Sequence, residues 1–233
     1  MAVARELSGR FTCFVVDRRG RGLSGDSQSY TVEREIEDIE AVRAAAGPGA
    51  FLIGPSYGAF CSLLTVLRTP VPRLVNYEPP RPVRGPAHGQ SVVLCPPLIK
   101  QGRSADATVV FFREIGVYPP GLLGSLLKAL PMRLKAKAIP TWPKMVGLMP
   151  VTVREMAAVD GMGPSLARFA ALKMPTLLLL GSRSNQPHIR DTTLELTRLV
   201  PNAKLHELAG QGHMAQTMAP KLAATKIAEF LKS

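Results

Sequence analysis

Apolar positions in this chain gather into short runs set apart by turns rich in glycine and proline. Residues 11–17 (FTCFVVD) form the first run, apolar and β-branched, and a glycine-rich turn over 18–25 follows; the pair predicts a buried strand and its exit loop. Val32, Ile36, Ile39 and Val42 then recur at helical spacing. Thr31 is placed to cap that helix and Gly47-Pro48-Gly49 to stop it. Residues 50–53 predict a second buried strand, 58–68 a compact helix of small and apolar residues, and 73–77 a third strand ended by Glu78-Pro79-Pro80. Strands alternating with helices build a parallel sheet covered on both faces.

From residue 79 to 173 the pattern changes. Proline and glycine punctuate it throughout, and only short helical pieces stand out, such as 106–115 and 122–130. Met132, Met145, Met149, Met156 and Met162, five of the nine methionines, lie here with the single tryptophan, Trp142. Such a segment reads as an inserted helical cap whose adaptable methionines suit an apolar substrate or glue the cap to the body. Alternation then resumes with a strand over 176–180 (TLLLL), a helix over 190–199, a strand over Ala203–Leu208 and a closing amphipathic helix over Pro220–Lys232. The division expected is therefore a first core part over 1–78, a cap over 79–173 and a second core part over 174–233. Residues 1–10 read as the end of an amphipathic helix, without the apolar stretch of a signal peptide.

Composition narrows the function classes. With 46% apolar and 20% charged residues, the 233-residue chain is an ordinary globular one. Its net charge of +12 raises the question of a nucleic-acid or membrane partner. The basic residues are scattered, with Arg18, Arg19 and Arg21 the densest group, and no basic run interleaves with aromatics. A basic surface without such a partner is the expectation. No run of 18 apolar residues predicts a membrane span. Three cysteines, Cys13, Cys61 and Cys95, make neither a disulfide framework nor a metal-ligand spacing, which points to buried inert thiols and a reducing, cytoplasmic setting.

The chemistry gathers around Gly54-Pro55-Ser56-Tyr57-Gly58, a G-x-S-x-G motif. With a strand before it and a helix after it, the sharp turn lifts a serine hydroxyl out of the sheet, and the flanking glycines avoid clashes. A serine needs a base to take its proton. His88 lies in a Pro/Gly-rich loop, His206 inside a strand pattern and His188 beyond the TLLLL strand, whereas His213 sits in a Gly-Gln-Gly-His loop between the last strand and the final helix. His213 also fits the chain order nucleophile, acid, base.

These segments resemble those of the α/β-hydrolases. Asp17-Arg18-Arg19-Gly20-Arg21-Gly22-Leu23-Ser24-Gly25 is similar to their D-x-R-G-x-G-x-S segment, Pro175 to Gly181 to the strand before the acid, and Gly210-Gln211-Gly212-His213 to the histidine loop. A bacterial subgroup with D-R-R-G-R-G, G-x-S-x-G and Y-E-P-P segments is the nearest in pattern. The resemblance runs from about residue 10 to the C-terminus. It implies an α/β fold, a mostly parallel sheet flanked by helices with an inserted helical cap. It also implies a serine hydrolase acting on a small or medium lipophilic carboxylic ester, with Ser56 as nucleophile, His213 as base and the Tyr57 backbone N–H in the oxyanion hole. Asp17 and the arginines after it are implied to be structural. No metal or organic cofactor is implied. The partner is a small-molecule substrate, and a homodimer is left open.

Two departures from the family pattern stand out. Where many relatives carry an aspartate after the TLLLL strand, this chain reads Gly181-Ser182-Arg183-Ser184-Asn185. Some relatives supply the acid after the preceding strand instead. That address is Glu78 here, with Asp160 and Asp191 as alternatives. The strands that open the family fold, and the loop giving half of the oxyanion hole, have no counterpart ahead of residue 10. These departures keep a non-catalytic or shortened hydrolase-fold protein in view, beside a lyase, C–C hydrolase or perhydrolase on the same fold.

Overall fold

A computed structural model describes residues 2–27, 29–81, 89–115, 141–163 and 165–232. The expected helix over 122–130, Met132 and His88 lie outside the described residues. Among the described residues, four strands form one sheet in the order β1 (Leu52–Pro55), β2 (Leu74–Tyr77), β3 (Thr176–Gly181), β4 (Ala203–Leu208). Every pair is parallel, with Ile53 opposite Val75, Val75 opposite Leu177 and Leu178 opposite Leu205. The element types follow the alternation in the sequence. The first strand falls two residues later than expected because the ladder carries on into the serine turn, where the Ser56 N–H donates to Tyr77 O at 2.8 Å.

Both faces of the sheet are covered. Helices α2 (Val32–Ala46) and α3 (Tyr57–Arg68) pack with Leu74, Leu178 and Leu196 in one core. Helix α1 (Ala2–Leu7) and the C-terminal helix Pro220–Lys232 pack with Val75, Leu177, Leu179 and Leu208 in another. Successive residues of β2 and β3 thus point into opposite cores, which is why these strands read as unbroken apolar runs. Thr31 caps α2 as expected, accepting from the Arg34 N–H at 3.4 Å.

Among the described residues, the helical region contains α4 (Gly89–Lys100), α5 (Ser104–Glu114), α6 (Trp142–Gly147) and α7 (Met149–Gly161). Cys95, Ala107, Met149 and Met156 form its own core, beside a second cluster of Phe112, Ile115 and Trp142. Pro96 and Pro97 inside α4 hide that helix from the sequence pattern, since proline is a poor interior helix residue. The next helices are α8 (Pro187–Leu199), α9 (Ala215–Met218) and α10 (Pro220–Lys232). Helix α8 starts three residues earlier than its apolar spacing suggests, with Pro187 in its first turn, where the missing N–H costs nothing.

One expected element is corrected. Residues 11–17 carry no regular secondary structure and join no sheet among the described residues. Their exposed Phe14, Val15 and Val16 line a cavity together with residues 51–55, and among the described residues no backbone hydrogen bond joins 12–17 to a strand. A β-forming sequence becomes a strand only where a partner supplies the ladder.

The cysteines are free, with Cys61 and Cys95 fully buried and Cys13 partly exposed. Burial pushes the Cys61 thiol far up and the Cys95 thiol up to about 11. Titration of the native protein with a thiol reagent is therefore expected to modify Cys13 alone, and the other two only after denaturation.

Candidate active site

The chain geometry around Ser56 explains its exposure. Strand β1 ends and α3 begins within a single residue, and Ser56 takes φ 51°, ψ −126° to make that turn. Such a backbone is strained for a residue with a side chain and persists only where the surroundings enforce it. Gly54 is one of the enforcers: a Cβ there would meet the Gly58 carbonyl at 2.5 Å and the Ser62 hydroxyl closer still. As the first residue of α3, Tyr57 has an N–H without a partner inside the helix, beside the serine hydroxyl.

Among the described residues, only Ser56 and one other non-glycine residue, Glu78, have positive φ. Glu78 sits just beyond β2 at φ 49°, and its N–H still donates to Leu179 O at 3.1 Å. The backbone thus turns its fully buried carboxylate toward the carboxyl end of β3. One oxygen, Oε1, accepts from the Gly181 N–H at 2.6 Å, and the other, Oε2, lies 2.6 Å from His213 Nδ1. His213 Nε2 lies 2.9 Å from Ser56 Oγ. Three side chains from three different loops at one end of a parallel sheet thereby form a continuous chain of hydrogen bonds.

The supporting residues were not singled out from the sequence. The Tyr77 hydroxyl donates to Gly212 O and fixes the histidine loop, while its ring stacks 6.4 Å from the imidazole at 22°. Gly181 leaves no room for a side chain: a Cβ there would stand 2.6 Å from Gln211 O and 3.1 Å from Glu78 Oε1. The signal for Tyr77 is its position beside Glu78 in Y-E-P-P. Gly181 carries none beyond its place at the end of TLLLL.

The structure also places the alternatives. Asp160 lies at the end of α7 and Asp191 within α8, and Glu78 holds His213 Nδ1. The uncharged Ser184 is buried, and among the described residues its hydroxyl has no hydrogen-bond partner. His206 is part of β4, and His188 opens α8.

A buried ionic network flanks the serine. Arg18 pairs with Glu35 at 3.0 Å and with Glu155 of α7 at 2.8 Å, and Arg21 reaches Glu155 at 2.7 Å. The Arg18 guanidinium lies 4.7 Å from the centre of the Tyr57 ring, and the Tyr57 and Tyr30 hydroxyls meet at 2.5 Å. Burial works against the Arg18 charge, but Glu155 and Glu35 outweigh it and hold its pKa above the usual arginine value. Burial likewise pushes the Glu35 carboxyl up, against the pull of Arg18. Removing one member of a buried pair strands the others, at about 3–5 kcal/mol. Glu155→Ala is expected to destabilise the protein by about 3 kcal/mol in urea unfolding, because Arg18 and Arg21 both lose their partner on α7.

Above Ser56 and His213 opens a cavity of about 740 Å³. Phe111, Phe112, Met145, Leu148, Met149 and Met156 of the helical region line it together with both site residues. No group of three or more potential metal ligands occurs among the described residues, and none of their helices is long and apolar enough to cross a membrane.

The comparisons agree with this architecture. A structure described as an α/β hydrolase from Sphaerobacter thermophilus is 36% identical, with a TM-score of 0.75 over 98% of this chain and 85% of that one. An esterase from Exiguobacterium antarcticum shares the fold at 17% identity, with a TM-score of 0.68 over 93% of this chain and 80% of that one. A meta-cleavage product hydrolase shares it at 19% identity, with a TM-score of 0.61 over 99% and 83%. No curated protein is close enough in sequence to count as a match. The model of the alpha/beta hydrolase family matches residues 1–225, nearly the whole length over which the sheet, the serine turn and the histidine loop are built, and the chain therefore belongs to that family.

Proposed function

We propose that the protein is a serine hydrolase of small or medium lipophilic carboxylic esters, with Ser56 as nucleophile, His213 as general base and acid, and Glu78 as the residue that orients and charges the imidazole. The observation that carries this reading is the Ser56–His213–Glu78 relay, at 2.9 and 2.6 Å, on a serine held in a strained turn. Glu78 accepts from Gly181 and sits against Nδ1, so the neutral imidazole keeps its proton on Nδ1 and offers the Nε2 lone pair to the serine.

In the proposed cycle Ser56 Oγ bonds to the ester carbonyl carbon while its proton passes to His213 Nε2. The carbonyl oxygen becomes an oxyanion beside the Tyr57 N–H at the positive end of α3. Collapse breaks the C–O bond to the alcohol, which leaves with the proton from His213. Water, deprotonated by the same nitrogen, then releases the acid and restores the serine. Residues 79–173 act as the cap, with α5, α6 and α7 supplying the apolar wall that selects a lipophilic substrate.

A second reading, carbon–carbon bond hydrolysis, takes support from the likeness to the meta-cleavage product hydrolase, and one fold serves both chemistries. Labelling with a fluorophosphonate separates an acylating serine from an idle one. The expected result is a single adduct on Ser56, blocked by competing p-nitrophenyl butyrate, which is itself hydrolysed. Adduct formation without turnover of any p-nitrophenyl ester would move the reading to the second chemistry. Absence of an adduct on folded protein would remove both.

A further inference from the structure

Most of the wall above Ser56 and His213 is apolar, but its charged groups are unevenly divided. Among the described residues that line the cavity, the charged side chains besides the site histidine are three arginines, Arg18, Arg21 and Arg43, and one carboxylate, Glu155. Arg43 uses both terminal nitrogens on backbone carbonyls, donating to Thr69 O and Pro70 O at 3.0 Å each. Arg18 and Arg21 are placed differently. Both rise from the glycine-rich turn over 18–25 and meet α7, whose Met149, Thr152 and Met156 also line the cavity. Positions 149, 152 and 156 fall on one helical stripe, with Glu155 beside it. Arg21 donates from Nε and Nη2 to the two oxygens of Glu155, at 3.1 and 2.7 Å, and from Nη2 to Thr152 Oγ1 at 3.3 Å. Arg18 uses Nη1 for both Glu35 and Glu155, at 3.0 and 2.8 Å.

These pairs occupy only part of each guanidinium. Among the described residues, Arg18 Nε and Nη2 and Arg21 Nη1 make no hydrogen bond, and none of the three is among the buried polar atoms left without a partner. They stay open at the cavity wall. The carboxylates lie behind them: the Glu35 side chain is 1% exposed and that of Glu155 5%, against 19% for Arg18 and 24% for Arg21. A group entering the cavity therefore meets the guanidinium charges at closer range than the carboxylates that balance them, and the nearer charge has the larger effect. Forked guanidinium donors match a carboxylate in particular. A purely hydrocarbon ester would take water from these donors and offer no acceptor instead. We infer that the substrate carries a carboxylate in addition to its ester group, received by Arg21 and Arg18.

This narrows the ester class proposed above and rests on that reading. The apolar wall takes the hydrocarbon part of such a substrate, and the arginines fix which end lies where. Both arginines are held before any ligand arrives. Glu155 and Thr152 seat Arg21, while Glu35, Glu155 and the Tyr57 ring, 4.7 Å from the guanidinium, seat Arg18. Little side-chain freedom is then lost on binding. Tyr57 follows Ser56 directly, so Arg18 brings its charge beside the reacting end of the cavity. The ion pairs that tie the 18–25 turn to α7 thus also aim the recognition group. A carboxylate on the acyl part and one on the alcohol part offer the same chemistry to Arg21.

Two matched pairs of esters test it. Mono-p-nitrophenyl adipate and its terminal amide put the charge, or a neutral group of the same shape, on the acyl part. Butyryl glycolate and butyryl glycolamide put it on the alcohol part. In one pair the carboxylate is expected to react with a kcat/KM about tenfold to a hundredfold above that of the amide, the range of a hydrogen bond to a charged group. The pair that responds shows which part of the substrate faces Arg21. The advantage should shrink as salt is raised and fall below about threefold in Arg21→Gln, while Arg21→Lys, with the charge but not the fork, keeps part of it. Each advantage is a ratio within one protein, so a loss of folded material or of overall rate cancels. Calorimetric binding to Ser56→Ala needs no turnover and separates this inference from the ester reading. Tighter binding of a carboxylate ester than of its amide, abolished by adding Arg21→Gln, supports the inference even if the native chain hydrolyses neither pair. No preference for the carboxylate in either assay overturns it, and hydrolysis of p-nitrophenyl butyrate would then leave the ester reading standing. A preference unchanged in Arg21→Gln overturns it as well.

Discussion

His213→Ala is expected to lower kcat for a p-nitrophenyl ester by about a millionfold while leaving the fold intact. In triad enzymes, loss of the base alone costs about as much as loss of every member, since the serine is then no better than an alcohol in water. His213 lies on a loop between β4 and α9, with its side chain at the wall of the cavity rather than in a core cluster. Its removal should therefore act on the proton relay more than on packing. Added imidazole offers a readout that a structural role would not move. A small base entering the 740 Å³ cavity should restore part of the rate, with a pH dependence set by its own titration. If activity stays near that of the native enzyme, Ser56 is being activated by some other group and the relay has been misread.

The residues of this relay were legible to different depths, for physical reasons. Ser56 stands in a motif whose spacing is dictated by backbone sterics, and the clash awaiting any Cβ at Gly54 shows why the glycine is written there. His213 was readable because a Gly-Gln-Gly stretch after the last strand predicts a turn with little other purpose. Glu78 was readable only as an address suggested by relatives, with Asp160 and Asp191 left beside it. Sequence spacing says nothing of a positive φ, and that backbone geometry turns Glu78 toward β3. Arg18, Glu35 and Glu155 were unreadable as a group because Glu155 lies more than a hundred positions from the other two and only tertiary packing brings it to them. Residues 11–17 show the opposite failure. Their side chains have strong β-propensity, but a strand also needs a neighbour, and propensity cannot announce one.

Glu78→Gln should lower kcat by about four orders of magnitude, roughly 5 kcal/mol in the barrier, with little change in volume or fold. The argument turns on the Gly181 N–H. It is a buried donor and donates to one oxygen of Glu78 at 2.6 Å. In the glutamine variant the amide oxygen must take that bond, which leaves the amide NH₂ facing His213 Nδ1. Two donors cannot share a contact, so Nδ1 gives up its proton and the imidazole carries it on Nε2 instead. Nε2 then donates to Ser56 Oγ and cannot accept the serine proton. The relay would keep its distances and lose its direction. A flipped amide would rescue the histidine only by setting NH₂ against the Gly181 N–H, an unsatisfied buried donor pair costing about 1–3 kcal/mol. Glu78→Asp keeps the charge on a shorter arm and should lose far less than the glutamine variant. Near-equal rates for the glutamine variant and the native enzyme would remove Glu78 from the relay. If the aspartate and glutamine variants lost rate equally, reach rather than charge and tautomer would be the quantity that matters at this position.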